Sequence, residues 1–293
     1  MDYRAAMGVK SSSLGEGVRI AVLDSGVPEP FVLGHVFSDS WVKAYEENPD
    51  EHGHATAVSS ILFGRSDIHG LCEYSIPIFI KVLDKNGRGS IKSVVNGIYK
   101  AIDESADIIN LSLGFIRTEN CPKDLEKACE AACEAGKTII CAAGNDGGPV
   151  NWPAALKTTL CVGAADKNGQ KVAFSSSGEV DFVAPGVNLP VFDLNGYVKR
   201  VSGTSFATAI VTGLASLLVF RIRSSGNSYT GIEQLRLALK TLAKDVDAPG
   251  WDENTGYGLL VGENMNPVDL KINGSIFGTI WKRIVTFFTQ KRS

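Results

Sequence analysis

The sequence predicts an α/β fold in three layers, a mostly parallel central sheet with helices on both faces. Three observations predict it. Short apolar runs recur along the chain without an alternating polar face, as strands covered on both sides require. Between them lie longer segments with helical spacing or with many small residues, so strand and helix patterns alternate. Residues able to do chemistry fall at the ends of the strand-like runs, and open α/β sheets gather their sites at the carboxyl ends of strands.

Residues 18–23 (V-R-I-A-V-L) form the first strand, which stops at Asp24-Ser25-Gly26. That places a carboxylate at the sheet edge, although Asp-Ser-Gly taken alone is equally an ordinary turn. A polar stretch follows to Glu51, and then His52-Gly53-His54 opens a run of small residues that reads as a tightly packed helix. His52 and His54 have H-x-H spacing, but no further ligand is spaced to complete a metal site, so none is expected. Residues 76–83 are a strand, closed by Asp84-Lys85-Asn86-Gly87-Arg88-Gly89, which lacks the G-K-[ST] of a phosphate loop. A helix is predicted over 90–105, a strand over 106–113, and a helix over 125–135 with Gly136 as its cap. Residues 138–143 are a strand leading into Gly144-Asn145-Asp146-Gly147-Gly148, and 160–164 and 180–184 are two more.

Next, a β-rich run over 197–201 precedes Gly203-Thr204-Ser205-Phe206-Ala207-Thr208-Ala209, which opens a long apolar helix over 207–222. Ser205 at that helix start sits where backbone N–H groups stabilise negative charge. The alternative is a simple helix cap. A serine hydroxyl is a weak nucleophile, so the functional reading needs a base, an orienting carboxylate and an oxyanion donor from elsewhere in the chain.

The 293 residues, 44% hydrophobic and 21% charged, are ordinary for a globular protein with a sizeable core. A net charge of -3 gives no bulk attraction to nucleic acid. The N-terminus carries no basic segment followed by an apolar one, so no secretory signal is visible. With that, the six cysteines are expected to be reduced thiols in a cytoplasmic protein, and Cys129, Cys133, Cys141 and Cys161 to be small buried hydrophobes.

Asp, His and Ser in that order, each in a glycine-flanked motif, resemble the subtilisin-like serine peptidases, or subtilases. The matching stretches are I-A-V-L-D-S-G (20–26), G-H-A-T-A-V (53–58), N-L-S-L-G (110–114), A-A-G-N (142–145), D-F-V-A-P-G (181–186), S-G-T-S-F-A-T-A (202–209) and G-Y-G-L (256–259). The resemblance covers roughly residues 15–265 and implies a subtilisin-like sheet. By resemblance, Ser205 is the nucleophile, His54 the general base, Asp24 its orienting carboxylate, and the Asn145 side chain with the Ser205 N–H the oxyanion hole. The histidine motif departs from the family's H-G-T-H. Of the two registers that fit, matching G-H-A-T-A-V to G-H-G-T-H-V is the better and assigns His54, leaving His52 as a loop residue near the cleft.

The resemblance also implies that a peptide or protein substrate binds as an added β-strand between Gly87-Arg88-Gly89 and Ser112-Leu113-Gly114. Leu83 would bound the second pocket, and Ile91, Val94 and Leu113 an apolar pocket further upstream. The primary pocket is expected between 112–114 and 142–145, lined by Ala143, Gly144 and Thr204, with Asp146 on its rim and Asn151 at its far end. Asp146 would favour a basic or polar residue before the scissile bond. Leu33 stands where many family members have a calcium ligand, and Gly64 to Gly70 is a short loop with one acidic residue, so a high-affinity calcium site is not expected. No cofactor is expected. The catalytic strand is reached by Val18, with no propeptide ahead of it, so the expectation is either unaided folding, which Met1 favours, or a mature form of the sequence.

The peptidase domain is expected over 1–268, followed by an amphipathic basic tail over 269–293. There, 275–290 carries apolar residues at helical spacing among Lys and Arg, suited to a membrane surface or a protein partner, or equally to a terminal helix folded back on the body. The functional expectation is an intracellular serine endopeptidase, maturing a specific peptide or protein partner. The alternative is a catalytically silent subtilase-fold protein that binds peptides.

Overall fold

The computed structural model describes residues 1–9, 14–34 and 47–264; the basic tail therefore lies outside the described residues. Eight strands form one sheet in the order β2-β1-β3-β4-β5-β6-β10-β9. These are β1 (Arg19–Asp24), β2 (Ile76–Lys81), β3 (Ile108–Leu111), β4 (Thr138–Ala142), β5 (Thr159–Ala165), β6 (Phe182–Pro185), β9 (Ala243–Lys244) and β10 (Leu259–Leu260). All neighbouring pairs are parallel except β9 with β10, as the continuous apolar runs predict. Between β6 and β9, β7 (Leu189–Phe192) and β8 (Val198–Val201) make a separate antiparallel hairpin.

Successive strand residues serve opposite cores, the period of two that a pleated sheet imposes. From β1, Ile20 and Val22 enter one core and Ala21 and Leu23 the other; Ile140 of β4 joins the first, Ile139 and Cys141 the second. The first core is covered by α2 (His54–Phe63), α5 (Thr204–Ser224) and α6 (Ile232–Lys240), the second by α3 (Ile91–Asp103) and α4 (Lys123–Glu134). A single turn at Tyr3–Ala6, α1, also packs on the first core through Tyr3. The predicted three layers are thus present.

Chain order reverses direction at β1: β2 lies on one side and β3 on the other. Such a switch point opens a crevice at the carboxyl edge of the sheet. Asp24 ends β1 at that edge, and the residues after β3 and β4 emerge beside it. Most cysteines fill the interior; Cys133 is half-buried, and all six are free thiols. Burial pushes the Cys121 thiol up to about 11 and Cys72 to about 12, so both remain protonated near neutrality.

Candidate active site

Asp24 is fully buried, and His54 begins the helix that faces it. The turn into that helix requires Gly53, whose φ is +87°; a methyl group there would also lie 3.2 Å from Leu194 Cγ. No cap side chain comes from Gly53 itself. Asp50 supplies the missing acceptor: its carboxylate takes the N–H groups of His52 (3.1 Å), Gly53 (2.8 Å) and Thr56 (2.8 Å), and the Thr56 hydroxyl at 2.8 Å. Burial pushes the Asp50 carboxyl up, but the hydrogen bonds from Ser25, Thr56 and Gly53 outweigh it and hold the group below the usual carboxylate range. Asp50 is therefore an anion at a helix N-terminus, beside the histidine.

His54 Nδ1 lies 2.8 and 2.9 Å from the two Asp24 carboxylate oxygens, with the imidazole side chain 20% exposed. Asp24 also accepts the Ser25 N–H at 2.7 Å. The Ser25 hydroxyl lies 2.7 Å from Asp50 Oδ1 and 3.2 Å from Asp24 Oδ1, so it links the two carboxylates. Burial pulls the His54 pKa down; the Asp24 charge and hydrogen bond, with the more distant Asp50 charge, more than reverse this and raise it above the ordinary histidine value. The Phe206 ring flanks the imidazole, with centroids 5.7 Å apart.

Ser205 is the second residue of α5. Its hydroxyl donates to Ser112 O at 2.9 Å, and the Ser112 hydroxyl donates back to Ser205 O at 2.8 Å. Beneath this pair, Asn110 Nδ2 donates to the Ser112 hydroxyl (3.0 Å) and the Thr212 hydroxyl to Asn110 Oδ1 (3.0 Å). Asn145 Oδ1 accepts the Thr204 N–H at 2.8 Å and the Thr204 hydroxyl at 3.0 Å. A backbone N–H can only donate, so the amide oxygen is fixed there and Nδ2 is left as a donor on the cleft side.

His54, Ser205 and Asn145 line one cleft of about 420 Å³, together with Leu83, Gly87, Arg88, Gly89, Ser112, Leu113 and Gly114. His52 and Phe115 line it too. The 87–89 segment is held by Asp84, whose carboxylate accepts the N–H groups of Asn86 (2.8 Å) and Arg88 (2.9 Å). The structure does not bring Ile91 and Val94 into this cleft. Val94 is fully buried in the second core, and Ile91 faces a separate surface groove with Lys92, Val95 and Tyr99. Val94 points from α3 into the second core, and Ile91 lies toward α4, where Asp124 and Lys127 share its groove. Ala143, Gly144 and Thr204 are buried, while Asp146 is exposed and accepts the Ser176 hydroxyl at 2.7 Å. Asp50 and Ser25 are the functional candidates that sequence reasoning passed over; only the position of Asp50 just ahead of a helix start pointed to it. Among the described residues, no group of three His, Cys, Asp or Glu is arranged to hold a metal ion.

Known proteins resemble this chain in sequence and in fold. The minor extracellular protease Epr of Bacillus subtilis (strain 168) is 34% identical over 260 residues, which is 86% of this chain and 39% of that protein. The thermostable alkaline protease of Halalkalibacterium halodurans is 36% identical over 241 residues, 80% of this chain and 64% of that one. The chain thus spans less than two thirds of either relative. Among solved structures, the prenylagaramide maturation protease PagA superposes with a TM-score of 0.72 at 30% identity, covering 83% of this chain and 90% of its own. Residues 15–258 match the Subtilase family, and the chain belongs to that family of subtilisin-like serine peptidases.

Proposed function

We propose that this protein is a serine endopeptidase that matures a specific peptide or protein partner. The observation that carries the catalytic part is the 2.8 Å contact of His54 with buried Asp24, in the cleft that also holds Ser205 and Asn145. With Nδ1–H committed to Asp24, His54 Nε2 is the free base. Ser205 Oγ attacks the scissile carbonyl carbon as His54 Nε2 takes its proton. Negative charge builds on the carbonyl oxygen, where the Asn145 Nδ2–H and the Ser205 N–H receive it. The imidazolium, stabilised by Asp24, then protonates the leaving amine as the C–N bond breaks. Water repeats the sequence on the acyl-enzyme and releases Ser205.

The resting hydrogen bond from Ser205 Oγ to Ser112 O adds a condition. The hydroxyl must leave that carbonyl and turn to His54 before it can attack. A substrate laid as a strand along 112–114 would offer its own N–H to the Ser112 carbonyl and free the hydroxyl in the same motion. The maturation role is supported by the likeness to PagA, itself a maturation protease.

A fluorophosphonate probe tests the chemistry directly. Wild type is expected to be labelled and the Ser205→Ala variant to stay unlabelled. Failure of the folded wild type to react would overturn the reading in favour of a silent peptide-binding protein. A proteome-derived peptide library addresses the narrower role: cleavage at a few related sites supports it, whereas indiscriminate cutting removes it and leaves the endopeptidase in place.

A further inference from the structure

Asn151 stands between the two segments expected to bound the primary pocket, 112–114 and 142–145. Its backbone N–H donates to Ala143 O at 2.8 Å, and its side-chain Oδ1 accepts the Arg117 N–H at 3.2 Å. A methyl group on Gly114 would lie 3.3 Å from Asn151 Cβ, and one on Gly144 only 2.5 Å from Asn151 Nδ2. The asparagine side chain therefore touches both walls. Gly144, with φ +122°, is the residue that permits so close an approach. The cleft runs from Leu83 and 87–89 past Ser205 to Gly114, Phe115 and Asn145, with Asn151 standing behind that end, while Ala142 and Ala143 are buried at 4% and 0% exposure.

The plug is anchored on both sides. Phe115 and Trp152 exchange backbone hydrogen bonds of 2.7 and 3.0 Å immediately next to Asn151. The Arg117 guanidinium stacks over the Trp152 ring and pairs with Glu179 at 2.7 Å. Because Oδ1 is held by the Arg117 N–H, Nδ2 faces Gly144 and presents a donor at the closed end. The Asp146 carboxylate is itself engaged, by the Ser176 hydroxyl and by the Gly148 N–H at 3.1 Å. A long basic side chain, which Asp146 alone would attract, would have to displace Asn151 first.

Resting on the endopeptidase reading above, we infer that Asn151 plugs the primary specificity pocket and restricts the residue before the scissile bond to glycine, alanine or serine. Larger side chains lose because binding them requires breaking the tethers of Asn151 or lifting the substrate off Ser112. Differences of one or two carbon groups in a closed pocket are worth roughly 10–200-fold in kcat/KM, and an aromatic ring exceeds the available space by more than that.

The test uses peptide p-nitroanilides that differ only in the residue before the anilide, assayed with wild type, Asn151→Gly and Asn151→Ala, each also labelled with a fluorophosphonate. Wild type is expected to prefer alanine over phenylalanine by about 100-fold or more in kcat/KM. Asn151→Gly should raise the phenylalanine substrate at least about tenfold and lower the alanine-to-phenylalanine ratio of kcat/KM by a similar factor. Asn151→Ala, which keeps a side chain, should fall between and serves if the glycine variant folds poorly. Equal wild-type rates on both substrates, or no gain for phenylalanine in either variant, would overturn the plug while leaving the peptidase intact. Absence of both hydrolysis and labelling in folded wild type would overturn the peptidase reading, and the plug with it.

Discussion

His54 faces two carboxylates, and each raises its basicity by a different route. Asp24 touches the ring, whereas Asp50 acts through space and through the backbone it holds, since its five hydrogen-bond donors include Gly53 and Thr56 of the helix start and the Ser25 hydroxyl that reaches Asp24. Asp50 is a positioning residue in this account, and its removal should alter the histidine as well as the turn. With its pKa raised, His54 is deprotonated only above the ordinary histidine range, so the acid limb of kcat/KM lies above pH 6.5. Replacing Asp50 by Asn removes one of the anions that stabilise the imidazolium, so the limb should move to lower pH while kcat/KM at its plateau falls roughly tenfold or more. A pH profile of Asp50→Asn checks this: a lower plateau with an unmoved limb would reduce Asp50 to a structural cap. Asp24, His54, Asn145 and Ser205 were all legible as motif residues, because each motif carries a glycine or small residue that the close packing at the site requires. Asp50 was not, because nothing in a polar loop distinguishes one acidic residue from another until the helix it caps is seen. The plug at Asn151 was hidden for a related reason: its position was readable, but which way its amide points depends on Arg117, distant in sequence.

At the scale of elements, β3 and α5 are joined by a buried polar chain running Thr212, Asn110, Ser112, Ser205, with Thr212 and Asn110 fully buried. The chain explains why an apolar strand ends in Asn-Leu-Ser: the polar side chains pair with the helix that carries Ser205 and hold its start at a fixed height. Asn110→Ala leaves the Thr212 hydroxyl and the Ser112 hydroxyl each short of a partner and opens a small cavity. It should cost roughly 2–4 kcal/mol in a urea melt of the Ser205→Ala protein, which cannot digest itself. A loss well below 1 kcal/mol would mean that water replaces the amide there. The parallel strands and long helices of this core were readable from the sequence because their apolar runs are complete. The hairpin strand β7 was missed, since Leu-Pro-Val-Phe contains a proline that a central strand excludes and an edge hairpin accepts. The helix α6 was also passed over, although Ile232, Leu235 and Leu239 carry its i, i+3, i+7 stripe. The two-residue strands β9 and β10 have no periodicity to read, and only the pairing of β10 with β6 and of β9 with β10 makes them strands.

At the scale of the whole molecule, the fastening of α6 to the sheet matters most. Arg236 of α6 reaches Asp181, which immediately precedes β6, at 3.0 Å, and its guanidinium also donates to Thr159 O at 3.1 Å. The other Asp181 oxygen accepts the Cys161 N–H at 2.8 Å, so a single carboxylate ties β5, β6 and α6 together. Burial raises the Asp181 pKa, and the Arg236 charge only partly offsets it. A carboxyl whose folded pKa lies above its unfolded value is easier to keep in the fold when protonated, so its contribution is most favourable in acid and weakens as pH rises through that range. Arg236→Ala strips away the compensating charge and raises the folded pKa further. At neutral pH the variant should therefore be less stable than its parent by about 3 kcal/mol, both partners being largely shielded from solvent. As pH falls toward the range where Asp181 protonates, the deficit should shrink. Urea melts from pH 4 to pH 8, again in the Ser205→Ala background, measure this. A deficit that stayed constant across the range would assign the loss to the stem of Arg236 and its backbone hydrogen bonds, and the charge on Asp181 would then not be what fastens the helix.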